Sequence, residues 1–373
     1  MKKYIYLDHA ATTPLRPEAL NAMLPYFTEH AANANALYAE GRRARAAIDA
    51  ARRQIAEAIH AKPAEIYFTG SGSEADNWAL FGAMRAMAGK NHIVTTQVEH
   101  HAILNACAAL KKLGYEVSYV PVDRQGCVDP EAIESAVRPE TGMVSVMLAN
   151  NEVGTIQPIS EIAKVAHMHG VLMHTDAVQA VGHIPVDVEA LDVDLLSLSA
   201  HKFYGPKGIG ALYIRNGVKM TNLIYGGEQE RGLRAGTENT PAIVGMGKAL
   251  SLSCAELEQT SEWIRALRNL LEGEITRRFP NAIVNGDREN RLPGTLHVTF
   301  PGEDTSMLLM RLDMEGIAVS AGSACAAGAR ERSHVIRAMH VPEGADVRFS
   351  LGNENDETQI RQAVDALCRV MNG

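Results

Sequence analysis

The sequence predicts an α/β protein: a mostly parallel sheet covered by helices, followed by a smaller α+β unit. Three observations predict it. Short apolar runs alternate with helical stretches through the first two-thirds of the chain. The runs recur with loops rich in Gly, Asn and His at their ends. Beyond about residue 240 the pattern changes to a long helical segment followed by a second, shorter set of strands and helices.

The elements follow in order. Residues 1–8 read as a strand. Helical periodicity, rich in Ala and Arg, covers about 39–60. Seven strand-like runs lie at 66–69, 92–97, 116–120, 143–149, 171–175, 193–199 and 210–214, and a helix begins near Ser73. Residues 240–279 read as an interrupted helix. Strands at 294–300, 317–320 and 346–351 then alternate with helices at 305–315, near 333–338 and from 356. The expected division is a large domain over 13–255, and a small domain made of 1–12 with 256–373.

Composition bounds the function. The 373 residues are 46% hydrophobic and 21% charged, with a net charge of −8. This balance argues against nucleic acid or an acidic membrane as a partner. No apolar run reaches membrane-spanning length. The five cysteines, 107, 127, 254, 325 and 368, are odd in number and contain no C-x-x-C pair. They suggest neither a disulfide framework nor a structural zinc site, and a cytoplasmic protein is expected.

The chemistry begins at Ser199-Ala-His-Lys202, which follows an apolar strand and enters a Gly- and Pro-rich turn. A lysine amine at such a strand end, partly desolvated, can form a Schiff base with a carbonyl, the chemistry of pyridoxal phosphate. The same residue could equally be a surface lysine, so the rest of the site matters. Asp176, ending the run at 171–175, suits a pyridine nitrogen, and Gln179 suits the ring hydroxyl; an Asp there is also a common turn residue.

Thr69-Gly-Ser-Gly-Ser-Glu-Ala-Asp76 is a strand–glycine loop–helix junction. Gly72 and Ser73 would offer backbone and hydroxyl donors to a phosphate at the helix N-terminus. Ser73 with Asp76 also fits a simple helix cap. Ser199 and His201 would add donors. His100 or His101 could stack on a ring and shuttle a proton, or open a helix. Asn151, in Asn150-Asn-Glu-Val-Gly154, could bind the ring hydroxyl or a substrate carboxylate, or form a turn. Arg348 lies in an otherwise apolar strand and could clamp a carboxylate or face solvent at a sheet edge. Cys325 is flanked by Ala, Ser and Gly, which suits an accessible, travelling thiol.

Taken in order, these motifs resemble the cysteine desulfurases of the NifS/IscS group, class V enzymes of the pyridoxal-phosphate fold type I. The matching stretches include Tyr6-Leu-Asp-His-Ala-Ala-Thr-Thr-Pro14, Gly72-Ser-Glu-Ala-Asp-Asn77, His174-Thr-Asp-Ala-Val-Gln179, Ser199-Ala-His-Lys-Phe-Tyr-Gly-Pro-Lys-Gly208, Arg231-Gly-Leu-Arg-Ala-Gly-Thr-Glu-Asn239 and Ser320-Ala-Gly-Ser-Ala-Cys325. The resemblance implies pyridoxal phosphate on Lys202, with His100 stacked on it. Asp176, Gln179 and Asn151 would contact the ring. Gly72, Ser73, Ser199 and His201 would hold the phosphate, and Thr237 would reach the phosphate of a second subunit in a homodimer. Asn33, Asn151 and Arg348 would bind L-cysteine. Lys202, His100 and Cys325 would be catalytic. Cys325 would take the sulfur as a persulfide, release L-alanine, and serve as a transient iron–sulfur ligand. The acceptors implied are an iron–sulfur scaffold or a tRNA-thiolation enzyme. Glu228 stands where the family carries a glycine.

Overall fold

The computed structural model describes residues 4–322 and 332–372. The first part runs β1 (Ile5–Tyr6), α1 (Pro17–Met23), α2 (Ala39–Ala58), β2 (Ile66–Thr69), α3 (Gly72–Ala86), β3 (His92–Thr96), α4 (His101–Lys112) and β4 (Glu116–Val120). It continues through α5 (Pro130–Ala136), β5 (Thr141–Ser145), α6 (Ile159–Met168), β6 (Leu172–Asp176), α7 (Val188–Leu191), β7 (Leu195–Ser199), β8 (Gly210–Ile214) and α8 (Thr240–Ala255).

Seven of these strands form one sheet in the order β2-β8-β7-β6-β5-β3-β4. β7, β6, β5, β3 and β4 pair in parallel, whereas β8 runs antiparallel to both its neighbours, β2 and β7. Every residue of β3, β5, β7 and β8 is buried, as expected of strands covered on both faces. Alternation divides them. Ile93, Met143, Leu195 and Leu212 pack with Trp78, Leu80 and Ile103 of α3 and α4. Val94, Val144, Met173 and Leu196 face the opposite core with Ile48, Ile55, Ile162 and Met246 of α2, α6 and α8.

The second part runs α9 (Leu257–Arg278), β9 (Ile283–Asn285), β10 (Thr295–Phe300), α10 (Thr305–Met314), β11 (Ile317–Ala318), α11 (His334–Ala338), β12 (Ala345–Ser350) and α12 (Glu357–Asn372). β12, β10 and β9 form an antiparallel sheet. Leu296, Val298, Val347 and Phe349 pack against Leu267, Leu271, Ile360 and Val364 in a separate core. Ile5 and Leu7 belong to this core, and β1 pairs in parallel with β11. The chain therefore starts beside its last third before crossing to the large sheet.

Several boundaries differ from the sequence reading. The apolar run 143–149 is a strand only to Ser145. Val146 and Leu148 then hydrogen-bond sideways to His174 O at 3.1 Å and Asp176 O at 2.8 Å. α3 starts at Gly72 with Ser71, not Ser73, as its cap: Ser71 Oγ accepts from Glu74 N at 3.1 Å, and Glu74 Oε2 accepts from Gly70 N at 2.7 Å. Ser71 thus satisfies one free amide of the first turn, and Glu74 reaches back past the cap to the amide of Gly70. The sequence reading did not include α1 or β9.

Candidate active site

Parallel strands bring their carboxyl ends to one edge, and the loops after β2, β3, β5, β6 and β7 all open there. They enclose a cavity of about 160 Å³. Gly72, Ser73, His100, Asn151, Asp176, Gln179, Ser199, His201, Lys202 and Arg348 line it, so ten residues singled out in the sequence meet in one place. Ala10, Ala11, Ser71, Asp76, Met147, Ala149 and Val178 complete the wall and were not singled out as site residues.

Asp176 ends β6 and is 5% exposed. Its Oδ1 accepts from Val178 N at 2.9 Å. Burial pushes its carboxyl up to about 6, against the pull of that N–H and of the Lys202 ammonium. It is thus a buried acid still able to ionise near neutrality beside a cation.

Lys202 closes the turn after β7. Its Nζ donates to the carbonyls of Ala10 and, at 3.1 Å, Ala11. Gln179 Nε2 donates to the same Ala10 oxygen at 2.8 Å. The following residues hold the lysine turn from outside. Thr13 Oγ1 donates to His201 O at 3.0 Å and accepts from Tyr204 N at 2.7 Å, while His183 Nε2 meets Lys202 O at 2.7 Å. The segment after β1 is therefore part of the site, although its own side chains are small.

His100 caps α4, its Nδ1 accepting from Ala102 N at 3.2 Å. Burial first, then the charges of Lys202, His101 and His334, lower it to about 4. It is a neutral ring at pH 7. The helix-cap and cavity readings of this residue hold together. Across the cavity, Asn150 is the turn residue: its Oδ1 accepts from Glu152 N and Val153 N at 2.9 and 3.0 Å. Asn151 is left to face the cavity.

Arg348 does not face solvent at a sheet edge. It is 1% exposed. Nη2 donates to Asp8 Oδ1 at 2.8 Å and Nη1 to Asn151 O at 2.9 Å, while buried Nε has no partner among the described residues. A buried guanidinium with an unused donor, lining a cavity, is suited to an anionic ligand.

The residues fit pyridoxal phosphate. A side chain at Gly72 would place its Cβ 2.7 Å from Val178 Cγ2 and 3.2 Å from Ser199 Cβ, so only glycine brings backbone this close at the N-terminus of the 15-residue α3. Phosphate donors there, an ionisable acid at the end of β6 and a lysine after β7, which lies between β2 and β6 in the sheet, form the donor set such a group requires.

Asn33 and Thr237 do not line this cavity; both are exposed. Their loops meet on the surface, where Asn35 Nδ2 lies 3.2 Å from Glu238 Oε2 and Arg45 Nη2 lies 2.8 Å from Glu238 Oε1. Cys325 lies outside the described residues.

The chain matches the aminotransferase class-V family over residues 5–363. It is 48% identical to cysteine desulfurase IscS of Dictyoglomus turgidum over all of this chain and 95% of that one. It is 46% identical to cysteine desulfurase IscS of Methanosarcina thermophila over 99% and 92%. Among solved structures, a NifS-like protein superposes with a TM-score of 0.93 at 36% identity, covering 99% of each chain. SspA in complex with cysteine superposes at 0.83 and 36%, covering 93% of this chain and 98% of that one.

Proposed function

This chain belongs to the class-V aminotransferases and, within them, to the pyridoxal-phosphate cysteine desulfurases; from that premise we propose the residue roles by which it converts L-cysteine to L-alanine and a protein persulfide. The observation that supports them is the meeting of Lys202, Asp176 and Arg348 around one cavity. Bound there, pyridoxal phosphate supplies an electron sink for the charge developed at the substrate's α-carbon.

The chain's own residues do the rest. Gly72, Ser73, Ser199 and His201 hold the phosphate. Asp176 faces the ring nitrogen, Gln179 and Asn151 face the ring hydroxyl, and neutral His100 covers the ring. Lys202 anchors the cofactor and, once released, carries the α-proton on Nζ; the Ala10 and Ala11 carbonyls give that ammonium a resting place. Arg348 and Asn151 would hold the substrate carboxylate. The Cys325 thiolate takes the substrate's sulfur. L-cysteine and one thiol become L-alanine and one persulfide, with no external oxidant or reductant.

Thr237 acts across a homodimer, where it serves the phosphate of a second copy, and Asn33 serves the substrate side. The exposed position of Thr237, outside this chain's own cavity, supports its role. The persulfide passes to a protein acceptor such as an iron–sulfur scaffold or a tRNA-thiolation enzyme. The cores on the two faces of the large sheet and the separate core of the second part support a large domain over 13–255 and a small domain of 1–12 with 256–373. No helix among the described residues is long and apolar enough to cross a membrane, and we place the protein in the cytoplasm.

Lys202→Ala and Cys325→Ser test these roles. Lys202→Ala should lose the lysine-bound cofactor's visible absorption and alanine formation together. Cys325→Ser should keep the absorption and lose sulfur release. A Cys325→Ser enzyme that desulfurates normally contradicts the assignment.

A further inference from the structure

Asp76 lines the same cavity as Asp176, is 1% exposed and has no role in the reaction as described above. One side-chain atom each of Asp76, Asp176 and His100 lies within 4.8 Å of the others. Two carboxylates this close, away from water, do not both ionise. Resting on the reading of the cavity as a pyridoxal-phosphate site, we propose that Asp76 is a positioning residue that keeps its proton in the folded protein, so that the pair carries one negative charge, on Asp176, opposite the ring nitrogen.

The surroundings decide which acid keeps the proton. Asp176 accepts the Val178 N–H and faces the Lys202 ammonium, and both favour its ionised form. Among the described residues, the Ser197 hydroxyl is what opposes burial at Asp76, and both Asp176 and Glu99 face it with like charge when ionised. Its Oδ1 has no hydrogen-bond partner among the described residues. A buried carboxylate oxygen without a donor is costly as an anion and much less so in a neutral acid.

The nearby histidines do not supply a counter-charge. His174 Nε2 lies 3.8 Å from Asp76 Oδ1, but the ring is fully buried between Ser145 Oγ at 2.8 Å and Ser197 Oγ at 3.1 Å. Burial holds it down to about 3. His100 is held neutral as well. Burial and the Asp176 charge accordingly raise Asp76 well above the usual carboxylate range. An ionised Asp76 would drive a proton onto Asp176 and remove the charge that retains the ring-nitrogen proton.

The test compares wild type, Asp76→Asn and Asp76→Ala. The infrared difference between wild type and Asp76→Asn at pH 7 should contain the carbonyl stretch of a protonated carboxylic acid. In the holoenzymes, Asp76→Asn, a neutral isostere, should keep the pH midpoint of the cofactor's visible band and release cofactor within about twofold of wild type. Asp76→Ala, which removes the group, should release it about tenfold faster. The proposal is overturned by absence of the acid band, by a midpoint shift of about one pH unit in Asp76→Asn, or by failure of Asp76→Asn to retain cofactor. The infrared measurement needs no cofactor, so it reports on Asp76 even where the reading of the cavity itself fails.

Discussion

Arg348 Nη2 lies 2.8 Å from Asp8 Oδ1, so the arginine that lines the cavity is held by a residue 340 positions away, at the start of the chain. The second arm of the fork is fixed on Asn151 O. Both contacts orient a guanidinium whose Nε has no partner among the described residues.

Loosening this hold should weaken substrate capture more than turnover. Asp8→Asn is expected to raise KM for L-cysteine about tenfold with a smaller change in kcat, and Arg348→Lys, which loses the planar fork, to raise it further. Steady-state alanine formation measures both. Equal losses in kcat and kcat/KM, with KM unchanged, would place Arg348 in the chemical step instead.

Glu99 gives a pH-dependent stability with a defined sign. It is fully buried, with Thr96 Oγ1 donating to it at 2.7 Å and Met147 N at 3.1 Å. Burial still raises its carboxyl from 4.5 to about 8. Between those values the unfolded chain loses the proton and the folded chain keeps it, so stability falls as pH rises, by about 1.4 kcal/mol per unit. Glu99→Gln should flatten that fall, as read from urea midpoints between pH 5 and pH 8. His174 acts on the acid side: lowered to about 3, it costs stability as pH drops below 6.5. An unchanged slope in Glu99→Gln would refute the assignment.

The loop that carries Thr237 is moored by a buried ion pair. Arg52 Nη1 and Nη2 meet the two carboxylate oxygens of Glu230, each at 2.7 Å, and Glu230 Oε2 also accepts from Phe68 N at 2.9 Å. Glu230 and Arg231 both have positive φ, 47° and 60°, so the backbone there depends on its anchors. Glu230→Ala leaves a buried guanidinium unpaired and should cost about 3–5 kcal/mol in chemical denaturation. A loss under about 1 kcal/mol would mean that the pair is replaced by water.

Much of the fold and site was legible because the chemistry sits at strand ends. Apolar runs of strand length marked all seven strands of the large sheet, and the polar residues at the ends of five of them, β2, β3, β5, β6 and β7, are what the cavity collects. Four things were not legible. The antiparallel course of β8 has no local signature, because a strand buried on both faces reads the same in either direction. The Ala10–Ala11 wall acts through backbone carbonyls, which any residue supplies. Asp76 read as a helix-cap partner; its burial comes from the large sheet, where His174 of β6 and Ser197 of β7 lie beside it, a tertiary fact. Asn150 and Asn151 could be told apart only once the turn hydrogen bonds of Asn150 were seen.

The most direct test is a single turnover of the holoenzyme with L-cysteine carrying heavy sulfur, followed by mass spectrometry of the Cys325 peptide and assay of alanine. One heavy sulfur on Cys325 for each alanine formed is the predicted result. Alanine appearing while Cys325 stays unlabelled would contradict the account.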